Sequence, residues 1–262
     1  MSATFWLLQA PDSLRRQSHR EPDGTGLGYY AADVTPRVDK QPVAAFSDRA
    51  FAQEARTVTS KTFVAHIRFA STGALALRNT HPFEQRGRLL AHNGVIGSIE
   101  AFDARLGAER SLVLGDTDSE RFFALITREI DACDGDVAAG IAAAARWVAA
   151  TLPVLSLNLV LIDAAALWAL RYPDTHELYV LERPAGASLD QVSSHRTHVV
   201  AEPACPTVVV ASEVMDADPG WRLLAPGELL HVDASLNVSS SIVIEGPPAH
   251  PLSLADLAGH AR

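Results

Sequence analysis

Four residues in this sequence could together bind an amino acid and activate its side chain. Arg68 offers a forked guanidinium that suits a carboxylate, and Asp118 could hold an ammonium group. Asn93 and Gly94 supply a side-chain amide and an unhindered backbone N–H, two donors that could converge on a developing oxyanion. Such an arrangement implies acyl chemistry on the side chain of a zwitterionic amino acid. No evident nucleophile completes the set.

These residues belong to short motifs that follow one another along the chain. The motifs are PDGTGLGYY (22–30), AHIRFAST (65–72), NTHPF (79–83), AHNGVI (91–96) and GDTDSE (115–120). Each alone is a weak signal. The glycine-rich motif, for example, lacks the Lys-Ser/Thr pair of a P-loop and precedes a strand instead of a helix.

The elements that must position these motifs are strands and a capped helix. Residues rich in β-formers predict strands over 62–69 and Arg88–Ile96, with a polar loop over 71–81 between them. Residues 18–30 are typical of a turn followed by a strand. Thr117 and Glu120 fit a capping box, which predicts that a helix begins there.

The remainder of the chain predicts a second helix and a return to strands. The alanine-rich run Val137–Thr151 favours a helix. The predicted later strands cover 156–162, 167–172, 177–181, 207–212 and Glu228–Val232, with a surface loop over 183–206 and a C-terminal tail over 246–262 that holds one short helix. This order predicts a single α+β domain over 1–262, in which helices cover antiparallel sheets.

Composition narrows the classes of partner. The chain has 22 basic and 31 acidic residues among 262, a net charge of −9, which argues against nucleic acid and against an anionic membrane surface. The apolar run 154–170 is interrupted by Asn158 and Asp163, so two buried strands are expected there, not a membrane span. Two cysteines, Cys133 and Cys205, are expected to be structural, and the N-terminus shows no signal-peptide pattern. We expect a cytoplasmic protein with a small-molecule substrate and no cofactor, and a homo-oligomer is compatible with the sequence.

Taken together, the ordered motifs resemble those of class II glutamine amidotransferases, and the likeness extends from about residue 3 to about residue 232. The resemblance implies the four-layer αββα fold of N-terminal-nucleophile hydrolases, in a stand-alone form without a synthase domain. It implies that Arg68 binds the α-carboxylate of glutamine and Asp118 its α-ammonium, while Asn93 and Gly94 form the oxyanion hole. By the same resemblance, the residues that line the glutamine pocket include Ser71, Thr72 and His81.

The resemblance also implies a mechanism, and here the sequence departs from the family. Family members attack the side-chain amide with an N-terminal cysteine, whose own α-amino group serves as base, and form a γ-glutamyl thioester. Residue 2 is Ser2, and the stretch from Ala3 corresponds to one that follows the first strand in the family. We therefore expect that the first strand and its cysteine are missing from residues 1–262, which would leave this form inactive. The alternatives are a catalytically dead glutamine-binding relative and Ser2 as the nucleophile.

Each site residue also has a plain structural explanation. Arg68 could pair with a surface acid, and Asp118 could be no more than part of a helix cap. Asn93-Gly94 is a common hairpin-turn sequence. The histidines at positions 66, 81 and 92 have irregular spacing and no cysteine or HxxxH partner, so we expect no metal site.

Overall fold

Two stacked layers of β-sheet form the centre of the protein, and helices cover both outer faces. The computed structural model describes residues 3–70, 73–186 and 205–258. The strands are β1 Gly24–Tyr30, β2 Pro36–Gln41, β3 Phe63–Arg68, β4 Phe83–Gln85, β5 Arg88–Ile96, β6 Pro153–Ile162, β7 Leu167–Leu170, β8 Tyr179–Arg183, β9 Thr207–Ala211, β10 Arg222–Leu223, β11 Glu228–Val232, β12 Val238–Ile242 and β13 His250–Pro251. The helices are α1 Leu14–Gln17, α2 Arg49–Thr57, α3 Ile99–Leu106, α4 Asp118–Ala132, α5 Val137–Thr151 and α6 Leu254–Ala258, with a π-helical turn at Phe5–Gln9 and 3₁₀ turns at Leu77–Asn79 and Gly107–Leu112.

The larger sheet has the strand order β12-β11-β7-β6-β5-β4, with antiparallel neighbours. Side chains alternate across it, as the pleat of a strand requires. On β5, Leu90 and Ile96 pack with the helices α3, α4 and α5, whereas Leu89 and Ala91 face the second sheet layer. One strand therefore contributes to two cores.

The second layer consists of two three-stranded antiparallel sheets, β2-β1-β3 and β10-β8-β9. Val64 on β3 packs against Leu89, and Val180 on β8 packs against Leu230 of β11. Phe51 of α2 and the π-helical turn cover the outer face of β2-β1-β3. The sequence of layers is helix, sheet, sheet, helix, which confirms the predicted αββα fold.

A groove separates the two small sheets, and we call it the strand slot. Among the described strands, β3 pairs only with β1 and β9 only with β8, so each has a free edge. Both edges line one cavity of about 370 Å³. The two strands end on the same side of the slot. The Asp23 N–H bonds to the carbonyl of Arg68, the last residue of β3, and Arg20 in the same segment forms an ion pair with Glu213, just beyond the end of β9.

Several predicted elements are confirmed. The strands Arg88–Ile96 and Glu228–Val232 and the helix Val137–Thr151 have the predicted bounds, and the strand predicted over 62–69 is β3. The apolar run 154–170 forms two strands, β6 and β7, as expected. Within the described ranges, no helix is both long and apolar enough to cross a bilayer.

The strand predicted over 156–162 begins earlier, at Pro153, and the one predicted over 207–212 ends at Ala211. Two further predicted strands have shifted bounds where the side chain of Asn158 takes up backbone groups. The strand predicted over 167–172 ends at Leu170, where Asn158 Oδ1 accepts from the Tyr172 N–H at 2.9 Å. The strand predicted over 177–181 begins at Tyr179, since Asn158 Nδ2 binds the carbonyls of His176 and Glu177. The loop predicted from residue 183 starts later, because Arg183 closes β8; residues 187–204 lie outside the described residues.

Several elements were not predicted from the sequence: α1, α2, α3, β2, β4, β10, β12 and β13. A signal for α2 was present, since Asp48 caps this helix through bonds from the Ala50 and Phe51 N–H groups. For α3 the signal was poor, because Ser98 precedes the helix in a left-handed conformation with no side-chain cap bond.

The glycine-rich strand β1 allows another segment to pass directly beneath it. A Cβ at Gly26 would lie 2.1 Å from the carbonyl oxygen of His81, and one at Gly28 would lie 2.9 Å from side-chain atoms of Leu89 and Pro82. The segment that carries His81 therefore lies flat against the inner face of β1. This explains the PDGTGLGYY motif by packing, without any phosphate-binding role.

We predict that Gly26→Ala lowers the free energy of unfolding by about 1–3 kcal/mol, because a backbone carbonyl cannot move aside as a side chain can. Gly28→Ala is the matched control on the same strand and should cost less, since its nearest neighbours are side-chain atoms at 2.9–3.0 Å and not a backbone carbonyl at 2.1 Å. Urea unfolding of the two variants measures the difference. Equal losses would contradict the role given to the Gly26 contact.

Candidate functional site

The Arg68 guanidinium is buried at the end of β3, with 4% of the residue exposed. Its Nη1 donates to the Ala74 carbonyl at 3.1 Å and its Nη2 to the Gly73 carbonyl at 3.3 Å. Burial lowers the pKa of Arg68, while the carboxylates of Asp23 and Asp118 act in the opposite direction. A surface ion pair, the plain explanation of Arg68, is therefore wrong.

Asp118 is the first residue of α4 and is also buried. Its Oδ2 accepts from the Ile96 N–H at 2.8 Å, which joins the start of the helix to the end of β5. The cap itself is Thr117, whose hydroxyl accepts from the Glu120 N–H at 3.2 Å. In a capping box, the Glu120 side chain would accept from the Thr117 backbone N–H. Here it accepts from the Gly115 N–H instead.

Asn93 and Gly94 lie inside β5, where they pair with Asn158 and Leu157 of β6. The hairpin-turn explanation is therefore wrong. Asn93 faces the space between the sheets. Its Nδ2 donates a long hydrogen bond, of 3.4 Å, to the hydroxyl of Ser212, which lies just beyond the end of β9. A Cβ at residue 94 would lie 1.9 Å from the Ser156 carbonyl oxygen, so the close approach of β6 requires glycine there.

Three histidines lie beside these groups. The rings of His66 and His81 are 4.2 Å apart between centroids, and His92 bonds to the Ser119 hydroxyl through Nδ1 at 2.9 Å. Nδ1 of His66 and both ring nitrogens of His81 are buried without a hydrogen-bond partner in the described part of the chain. Across the described ranges, no set of three or more His, Cys, Asp or Glu side chains is placed to hold a metal ion.

The pKa values of these histidines are all lowered, with burial as the largest cause. For His66 the pKa falls to about 4, with a further contribution from His92. For His81 the positive charges of Lys40 and Arg68 add to the effect of burial. The imidazoles are therefore neutral at pH 7, which suits a site that already contains a buried guanidinium.

The structure brings Arg68, Asp118 and Asn93 to one end of the strand slot. Arg68 closes β3, Asp118 interacts with Arg68, and Asn93 reaches the end of β9. Ser2, Ser71 and Thr72 lie outside the described residues.

The sequence analysis gave no role to Asn79, although it lies in the NTHPF motif. Asn79 is fully buried, and its Nδ2 donates at 3.1 Å to the same Ala74 carbonyl that accepts from Arg68. Its Oδ1 accepts from the Asp116 N–H at 2.9 Å. Asn79 thus joins the loop after β3 to the segment that precedes α4.

Comparison with known proteins gives consistent matches. The family model described as glutamine amidotransferases class-II matches residues 9–246. YafJ from Escherichia coli K12 is 28% identical over 79% of this chain and 83% of its own. The gamma-glutamyl-hercynylcysteine sulfoxide hydrolase of Mycolicibacterium smegmatis is 29% identical over 83% of this chain and 82% of its own. In both relatives the likeness extends over most of the protein.

Solved structures agree on the fold. A glutamine aminotransferase class-II domain protein from Silicibacter pomeroyi superposes with a TM-score of 0.59 at 22% identity, and the match covers 85% of this chain and 92% of that one. At this identity the likeness concerns the fold alone.

The neutral histidines predict a loss of stability in acid. Above about pH 6.5, His66 is neutral in both the folded and the unfolded state. Below that pH the unfolded chain protonates His66, whereas the folded protein protonates it only near pH 4. The free energy of unfolding should therefore fall as the pH drops from about 6.5 to 4. Urea unfolding across this range should show a shallower fall for His66→Gln than for wild type or for the exposed-site control His250→Asn. Identical slopes in all three proteins would refute this origin.

Proposed function

The chain belongs to the class II glutamine amidotransferase family, and we propose that it hydrolyses the side-chain amide of glutamine or of a related γ-glutamyl compound. The observation that carries this proposal is the meeting of Arg68, Asp118 and Asn93 at one end of the strand slot. These groups match the two charged ends and the reacting carbonyl of one substrate.

Arg68 and Asp118 bind the amino-acid head in this proposal. The guanidinium receives the α-carboxylate as a forked donor, and the carboxylate of Asp118 receives the α-ammonium. Both residues are buried, which strengthens their interaction with a charged ligand. Two loop carbonyls and the Ile96 N–H hold the two side chains, so little ordering is needed when the ligand binds.

Asn93 and Gly94 stabilise the oxyanion. The Asn93 amide faces the slot, and the backbone N–H of the adjacent Gly94 is the second donor in this proposal. Both are fixed within β5, which pairs with β6 on both sides of these residues, so the donors are preorganised.

The strand slot supports the origin of the nucleophile. A strand inserted between β3 and β9 and antiparallel to both would satisfy two free edges at once. Because both walls end at the site, such a strand would begin there, with its first residue beside Arg68 and Asn93. We propose that an N-terminal cysteine on this strand is the nucleophile, and that its α-amino group is the base.

In the resulting reaction, the amino group takes the thiol proton and the sulfur attacks the γ-carbonyl carbon. The C–N bond then breaks, and the nitrogen leaves as ammonia, or as an amine from a larger substrate, with the proton from the amino group. Water attacks the thioester, the C–S bond breaks, and glutamate and the free thiol are released. The name of the M. smegmatis relative describes a hydrolase of a γ-glutamyl compound, which supports hydrolysis as the outcome.

The head-group assignment predicts that Arg68→Ala and Asp118→Asn each weaken glutamine and glutamate binding by about 1.5–3 kcal/mol, as when a charged hydrogen bond is lost. Isothermal titration calorimetry of the purified proteins measures this. Arg37→Ala, which removes an exposed positive charge on β2, should bind as wild type does. Unchanged affinity in both site variants would refute the assignment.

The nucleophile assignment predicts that the form spanning residues 1–262 releases no glutamate from glutamine, whereas a form extended upstream by a strand that begins Met-Cys does. A glutamine-analogue electrophile should label the N-terminal cysteine of the extended form, as located by mass spectrometry. In that form, Asn93→Ala should lower turnover by about a hundredfold with little change in affinity, since the lost bond is made in the transition state.

Turnover by the shorter form, or an adduct at Ser2, Cys133 or Cys205, would contradict this assignment. An extended form that binds glutamine without turnover would identify a glutamine-binding relative instead.

A further inference from the structure

Lys40 extends from β2 to the loop that follows β3. Its Nζ donates to the Thr80 carbonyl at 2.7 Å and to the Pro82 carbonyl at 3.2 Å, and it lies 5.0 Å from the centre of the Phe83 ring. The two accepting carbonyls flank His81, whose own carbonyl lies close to Gly26. The ammonium therefore holds the segment that passes beneath β1.

The same loop holds Arg68 at its other end. We call residues 73–82 the clamp loop. Its Gly73 and Ala74 carbonyls accept from Arg68, and Asn79 binds the Ala74 carbonyl from within the loop. Thr80 also bonds back to the Ala76 carbonyl at 3.1 Å. A continuous set of hydrogen bonds thus connects the Lys40 ammonium with the Arg68 guanidinium.

Lys40 also lies at the wall of a second cavity, of about 780 Å³, between β2 and β4. Burial lowers the pKa of Lys40 to about 8, and the negative charge of Glu120 acts in the opposite direction. The other charged groups that line this cavity are Asp39, Asp48, Glu54, Arg78, Glu84 and Glu120, and His81 lies close enough for the charge of Lys40 to lower its pKa. A lysine with a lowered pKa titrates between about pH 7.5 and 10, whereas carboxylates, imidazoles and guanidinium groups ordinarily titrate outside that range. Among these groups, Lys40 is therefore the one expected to change charge there.

We propose that Lys40 is a positioning residue for substrate binding, which holds the clamp loop so that its carbonyls orient Arg68 toward the α-carboxylate of the substrate. This inference rests on the proposed function of Arg68. Because Lys40 lines the second cavity and not the strand slot that contains Asn93, it acts on affinity and leaves the chemical step unchanged. Its ammonium is lost above about pH 8, so the grip on the substrate weakens there.

The test measures L-glutamine and L-glutamate binding by calorimetry at about pH 7 and pH 9 for wild type, Lys40→Met, Lys40→Arg and Arg37→Met. Lys40→Met should raise the Kd by about tenfold at pH 7, in keeping with a lost charged hydrogen bond. At pH 7, Lys40→Arg should bind the ligands nearly as tightly as wild type does. At pH 9 the arginine keeps its positive charge, so Lys40→Arg should bind more tightly than wild type does at that pH. Arg37→Met removes an exposed charge from the same strand and should follow wild type at both pH values.

In the extended form that carries the N-terminal cysteine, Lys40→Met should raise KM and leave kcat close to the wild-type value. A general loss of folding would lower both the melting temperature and kcat, so thermal denaturation accompanies each titration. Wild-type affinity in Lys40→Met, or the same pH dependence in Lys40→Arg as in wild type, would overturn the role of Lys40 while the proposed function stands. If wild type itself binds neither ligand, the proposed function fails and the role of Lys40 fails with it.

Discussion

The buried guanidinium of Arg68 is the constraint on which the site depends. Burying a charge is costly unless hydrogen bonds and opposite charges compensate it. Here the carbonyls of Gly73 and Ala74 accept its protons, and Asp23 and Asp118 supply negative charge. A group compensated in this way is stable when the site is empty, yet its charge still attracts an anionic ligand.

Meeting that requirement involves elements far apart in the sequence. The carbonyls belong to the clamp loop, which must pass beneath β1, and this is possible because a glycine at position 26 leaves room for the His81 carbonyl. Lys40 then holds the loop from β2, and Asn79 joins it to the segment before α4. The glycine-rich strand, the lysine and the asparagine are thus parts of one arrangement around Arg68.

The strand slot places a second condition on the fold. Free strand edges expose backbone donors and acceptors that favour pairing with another strand. In this protein two such edges face each other and run toward the same site, so an antiparallel strand would deliver its first residue to the oxyanion donors. The same geometry that pairs the backbone would fix the position of the N-terminal nucleophile that we propose.

Elements whose signals are local could be predicted from the sequence. Arg88–Ile96 and Val137–Thr151 follow from hydrophobic pattern and propensity, and the Thr117 cap follows from a hydroxyl next to a free N–H group. Motif order also brought Arg68, Asp118, Asn93 and Gly94 forward as a group, although their roles remain proposals.

Tertiary structure alone decided how those residues are held. Asn93-Gly94 lies in a strand and not in a turn because β6 pairs with both residues, and a two-residue pattern cannot reveal its partner. Bonds from Asn158, which lies 14 to 19 residues away in the sequence, set where β7 ends and where β8 begins. Lys40 carries no recognisable sequence signal, and the NTHPF motif that contains Asn79 does not reveal its role, because both side chains bind carbonyls that only folding places within reach. Local propensity acts over a few residues, whereas the burial of one charge depends on every segment that packs around it.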